Sequence, residues 1–129
     1  MKAVDTNVIV RYLTADDPVQ TPLATAIFST ACFVPDTVLL ETAWLLTSRY
    51  RIPRAELAAT LSDLVHLPTI TVSDSDHVLW AIERFAAGAD FADMMHIISG
   101  RGADAFISFE DRLDILAGPD VPMPIERPA

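Results

Sequence analysis

The chain has 129 residues, the length of one domain, and 51% of them are apolar against 21% charged. That balance excludes disorder, and a core of this size needs neither disulfide nor structural metal. Lys and Arg total 9 and Asp and Glu 18, for a net charge of −9. This excludes phosphate binding by a simple basic surface and leaves room for a nucleic-acid enzyme that works through metal ions.

The first residues, Lys2-Ala3-Val4, read as a short buried strand with Asp5 at its end. Helical periodicity begins near Asn7, through Val8, Ile9, Tyr12 and Leu13, until Asp16-Asp17-Pro18 interrupts it. A second helix starts there with Pro18 in its first turn and runs through Leu23, Ile27 and Phe28. Cys32 to Val34 is a strand, and its lone thiol is a buried side chain with no disulfide partner. Asp36 or Thr37 caps a helix carrying Val38, Leu39, Ala43, Trp44, Leu45 and Leu46 and ending near Tyr50.

Pro53 opens the next helix, with Ala55, Leu57, Leu61, Leu64 and Val65, and Ile70-Thr71-Val72 is a strand. Asp74 or Ser75 caps a helix with Val78, Leu79, Ile82 and Phe85 that Gly88 stops. Asp90 begins a helix through Met94, Met95, Ile97 and Ile98 that ends at Gly100 and Gly102. Ala105 to Ser108 is a strand, Phe109 to Leu116 a short helix, and the proline-rich tail from Gly118 is extended. Short apolar strands alternating with amphipathic helices specify an α/β fold of three layers, with helices on both faces of a central, mostly parallel sheet. Such sheets bind ligands at the carboxyl ends of their strands. No repeat or linker divides the chain, so residues 1–129 read as a single domain. No basic-then-apolar leader opens it and no apolar run nears the roughly 18 residues of a membrane span. The expectation is a soluble, cytoplasmic protein with no membrane partner.

Acids recur where catalysis would place them. Asp5 follows the first strand, although a helix cap explains it equally well. Glu41 and Thr42 are the only polar side chains from 38 to 46, and no Lys or Arg lies within a turn of Glu41. A buried carboxylate there needs a metal ion or a distant Arg, unless the helix presents it at a cleft or exposed edge. Asp90 and Asp93 share a helix face, Asp90 suiting an N-cap and Asp93 bordering the apolar run from Met94 to Ile98. Glu110 and Asp111 follow the last strand, and capping would explain only one of them. Clustered carboxylates repel, and a hard divalent cation relieves that repulsion. The isolated His66, His77 and His96 make no zinc pattern, and no Gly-x-Ser-x-Gly elbow supports a serine hydrolase. A receiver domain would need adjacent acids after the first strand and a late lysine, whereas the only lysine is Lys2.

Four segments, in order and in spacing, resemble the PIN-domain family, and most closely its VapC-type toxin ribonucleases of toxin–antitoxin pairs. They are Val4-Asp5-Thr6-Asn7-Val8-Ile9-Val10-Arg11-Tyr12-Leu13, Val38 to Leu46 around Glu41, Gly88-Ala89-Asp90-Phe91-Ala92-Asp93-Met94-Met95-His96, and Ile107-Ser108-Phe109-Glu110-Asp111-Arg112-Leu113. The resemblance implies an α/β/α domain that cleaves RNA with Mg²⁺ or Mn²⁺ and leaves a 5′-phosphate. It implies catalytic and metal-binding roles for Asp5, Glu41, Asp93 and Glu110, with Thr6, Asn7, Asp90, Ser108 and Asp111 in support. The fourth acid falls on a glutamate where the family usually has aspartate, and Asp111 stands one residue further on. Homodimerisation and inhibition by a cognate antitoxin protein are also implied. Arg11 and the Arg49, Arg51 and Arg54 group are candidate phosphate contacts, or else a solvated helix end. A catalytically silent PIN-like module that only binds a partner is the alternative reading.

Overall fold

The computed structural model describes residues 1–128. The chain forms two compact units, one over Met1–Ser75 and one beginning at Asp76. In the first unit the order is β1 (Lys2–Ala3), α1 (Thr6–Thr14), α2 (Gln20–Phe28), β2 (Cys32–Phe33), α3 (Asp36–Ser48), α4 (Arg54–His66) and β3 (Ile70–Thr71). In the second it is α5 (Ser75–Ala86), α6 (Phe91–Ser99), β4 (Phe106–Ile107), α7 (Leu113–Ala117) and β5 (Ile125–Glu126). The α/β class expected from the sequence is the class observed, and every strand pair is parallel.

The first unit is built on a sheet ordered β1-β2-β3, with Lys2 beside Cys32 and Cys32 beside Ile70. Parallel pairing puts all three carboxyl ends on one edge, where Asp5, Asp36 and Ser73 follow their strands. The Ser73 hydroxyl donates to Asp36 Oδ1 at 2.8 Å and ties the start of α3 to the chain leaving β3. The expected buried first strand is corrected: Lys2 and Ala3 are exposed, and burial begins at Val4. Each strand here is only two residues long, so helices and not strand faces supply most of the core. Helices α3 and α4 bury 39-42-43-46 and 57-58-61-64-65, the spacing of a single helical face. Helix α1 packs on α2 and α3, and Tyr12 meets Phe28 with ring centroids 4.7 Å apart.

The second unit buries Val78, Ala81, Ile82 and Phe85 from α5 and Phe91, Met94, Met95, Ile97 and Ile98 from α6. Phe85 and Phe91 pack edge to face at 5.7 Å. Arg84 donates to the Leu116 carbonyl at 2.8 Å and fastens α5 to the end of α7. At Gly118, with φ +77°, a Cβ would stand 3.1 Å from the Arg84 guanidinium carbon, so glycine serves both the turn and that contact.

Several boundaries differ from expectation for local reasons. Pro18 lies before α2 and not in its first turn: Asp17 Oδ1 accepts the N–H groups of Val19 and Gln20 and sets the start later. Pro35, not Asp36 or Thr37, is the N-cap of α3. The last helix shrinks to Leu113–Ala117, because Ser108 to Arg112 turn before it starts. The tail is more ordered than an extended strand end, since Ile125 and Glu126 pair with Phe106 and Ile107. Among the described residues, no helix is long and apolar enough to cross a membrane.

Candidate active site

In the first unit, Asp5 sits between the carboxyl end of β1 and the start of α1. It is the N-cap of that helix, and its Oδ1 accepts the Thr6 N–H at 2.7 Å. Thr6 is buried at 3% exposure, and its hydroxyl donates to Glu41 Oε1 on α3. One residue thus touches both acids: its backbone holds Asp5 and its side chain holds Glu41. Asn7, the next residue, is exposed and lines an apolar groove with Val8, Leu23, Ala24 and Ile27.

Of the alternatives open for Glu41, the structure shows the helix presenting it to solvent. The buried face of α3 is Leu39, Thr42, Ala43 and Leu46, and Glu41 lies one residue out of that phase, about 100° around the helix, and is exposed. Thr42 takes the core position that Glu41 avoids and satisfies its hydroxyl on the Val38 carbonyl at 2.7 Å. Glu41 is therefore a solvent-facing acid fixed from below by Thr6. Trp44, also out of phase, is 62% exposed.

In the second unit, Asp90 is the N-cap of α6 and accepts the Asp93 N–H at 2.9 Å. Asp93 stands in the first turn, half-buried. Burial pushes its carboxyl above the ordinary value, the charges of Asp90 and Glu110 push it further, and His96 one turn along pulls it down. Asp90, Asp93 and Glu110 therefore share one electrostatic neighbourhood. His96 is exposed, and its i, i+3 spacing from Asp93 puts it on the same helix face.

Glu110 lies in the turn after β4, where its N–H donates to Ser108 Oγ at 3.1 Å. The other candidate for the fourth acid, Asp111, forms an ion pair with Arg127 beyond β5. Neither caps α7, whose N-cap is Arg112. Of the two, Glu110 is the acid whose charge bears on Asp93.

The expected phosphate contact at Arg11 is already engaged. Its guanidinium donates to Gln20 Oε1 at 2.9 Å and to Asp16 and Tyr50, both at 3.4 Å. That network closes the loop between α1 and α2.

The donor chemistry of the second unit fits a hard divalent cation: carboxylate oxygens, no thiolate, and one acid, Asp93, whose carboxyl is pushed up by burial and then by the charges of Asp90 and Glu110. Among the described residues, no three His, Cys, Asp or Glu side chains form a ready metal cage. An ion held by one or two carboxylates with retained water is the mode Mg²⁺ favours.

No curated protein and no solved structure matches the chain. A family model described as PIN domain matches residues 2–119, across both units and through all the acids described above. PIN domains are generally nucleases that bind RNA and use divalent metal ions. The match takes in nearly the whole chain, and the chain belongs to the PIN-domain family.

Proposed function

We propose that this protein is a Mg²⁺- or Mn²⁺-dependent endoribonuclease, the toxin of a VapBC-type toxin–antitoxin pair, and that residues 1–129 act as one PIN-like domain. The observation that carries the reading is Thr6, buried and bonded to both Asp5 and Glu41. A helix cap alone does not require the hydroxyl contact to an acid 35 residues away. The family match supports the nuclease class, and the four resembling segments support the narrower toxin assignment.

Asp5, Glu41, Asp93 and Glu110 are assigned to the metal and to the reaction. Mg²⁺ or Mn²⁺ would neutralise the scissile phosphate and make an attacking water more acidic. Glu41, with one oxygen held by Thr6, presents its carboxylate to orient that water and accept its proton. Attack at phosphorus forms the new P–O bond, breaks the bond to the 3′ oxygen, and leaves a 5′-phosphate. Asp90 and Ser108 hold the backbone beneath Asp93 and Glu110, a supporting role that needs no contact with substrate. Asp111, bound by Arg127, is assigned to support and not to the fourth acid. A homodimer, a cytoplasmic setting and an antitoxin partner belong to the same proposal.

The test is cleavage of a labelled RNA by the purified protein with Mg²⁺, Mn²⁺ or chelator. Expected is metal-dependent cleavage that Glu41→Gln lowers on the order of 10²–10⁴-fold. Wild-type expression without antitoxin should arrest growth, and the Glu41→Gln variant should not. A folded wild-type protein with no metal-dependent cleavage leaves the silent partner-binding module as the correct reading.

A further inference from the structure

Phe109 is 78% exposed, the most exposed large apolar residue of the chain. A phenylalanine held in water forgoes roughly 1.5–3 kcal/mol of burial. Its place on the chain is also specific. Strand β4 ends at Ile107, and the Ser108 hydroxyl accepts the Glu110 N–H at 3.1 Å. That bond spans Phe109 and sets it at the tip of a closed turn. Its Cα is one peptide, about 3.8 Å, from that of Glu110. The acid and the exposed ring are therefore carried by one turn.

Charge narrows what the ring can meet. The protein carries a net charge of −9; in this unit Arg84 is engaged by the Leu116 carbonyl, Arg101 by the Ile98 carbonyl and Arg127 by Asp111, while Arg112, two residues after Glu110, is exposed. With the chain this acidic, an uncharged contact adds affinity for a polyanion that net charge does not supply. A flat apolar ring offers one that every nucleobase can use, since each base has a π face.

We propose that Phe109 is a base-stacking platform that seats a nucleobase of the RNA beside Glu110. The inference rests on the ribonuclease reading above and deepens it by naming a positioning residue. Recognition of this kind tolerates any base and selects unpaired over duplex RNA, because only an unstacked base offers a free face.

The test is binding of fluorescently labelled single-stranded RNA, and of an abasic oligonucleotide of equal length, with Mg²⁺ in an Asp93→Asn background that does not cleave. Expected is a loss of about five- to a hundredfold in RNA affinity for Phe109→Ala. Binding of the abasic strand should be unchanged, as should the salt dependence, since no phosphate contact is removed. Phe109→Trp should retain affinity and add an RNA-dependent quench of fluorescence. Equal loss on both strands, no loss, or binding of neither strand overturns the inference. So does a change in molecular mass on Phe109→Ala, which would make the ring a contact between copies. Metal-dependent cleavage by the wild type is read separately: its absence overturns the ribonuclease reading, whereas base-dependent binding that survives Phe109→Ala overturns only the stacking role.

Discussion

The two units carry their acids in opposite ways. In the first, Asp5 and Glu41 are anchored by donors from a single buried residue, Thr6. In the second, Asp93 is half-buried and faces the charges of Asp90 and Glu110, with only His96 opposing them. Hydrogen bonding holds the first pair in place whether or not a cation is present. The second set is left with repulsion that a cation relieves.

The largest expected effect tests the second unit. Millimolar Mg²⁺ should stabilise the wild type by about 1–3 kcal/mol if its concentration exceeds Kd ten- to a hundredfold. Asp93→Asn should lose most of that gain and, in chelator at neutral pH, melt at or above the wild type. The pH dependence has a definite sign. The folded state holds the Asp93 proton more tightly than the unfolded chain, whose value lies near 3.8, so metal-free stability falls as pH rises from there through the raised folded value. The difference between wild-type and Asp93→Asn melts across pH 3–7 isolates that fall. A parallel pair of curves would break the contrast between the units.

A smaller effect tests the first unit. Thr6→Val keeps the buried shape and removes the hydroxyl bound to Glu41, which should cost about 1 kcal/mol in chemical denaturation, with or without Mg²⁺. In chelator, Asp5→Ala should cost a similar amount through the lost cap, and Asp5→Asn only a few tenths, because asparagine caps as well as aspartate. With Mg²⁺ both should lose more, since Asp5 is assigned to the metal; a metal-dependent loss with Thr6→Val would show that its hydroxyl answers to the cation too.

The smallest effect is a control remote from the acids. Ala15 ends α1 in the left-handed conformation, with φ 52°, where glycine carries no side-chain penalty. Ala15→Gly should raise stability by up to about 1 kcal/mol and leave cleavage unchanged. A gain in stability accompanied by lost cleavage would mean that the α1 terminus is coupled to Asp5.

Much of this was legible in residue order because its cause is local. Helical phase showed in Leu57, Leu61, Leu64 and Val65 and in Val78, Ile82 and Phe85, capping in Asp90, and the helix stop in Gly88. The acids after strands stood out because short strands in α/β chains end where ligands bind. The rest needed the folded chain. Residue order left Glu41 open between burial and an exposed edge, and the phase of α3 turns Thr42 inward and leaves Glu41 in water. Ile125 and Glu126 look like a proline-rich tail until β4 supplies their hydrogen-bond partners.

The sequence by itself determined the class of fold, the family, and the residue types available for chemistry, since periodicity, caps and motif order are properties of neighbours along the chain. Only the tertiary structure decided that Thr6 joins Asp5 to Glu41 across 35 residues, that Arg127 occupies Asp111, and that Glu110 joins Asp90 in bearing on Asp93. Hydrogen bonds and charge coupling fall off within a few ångströms, and residues distant in sequence come that close only when the chain has folded.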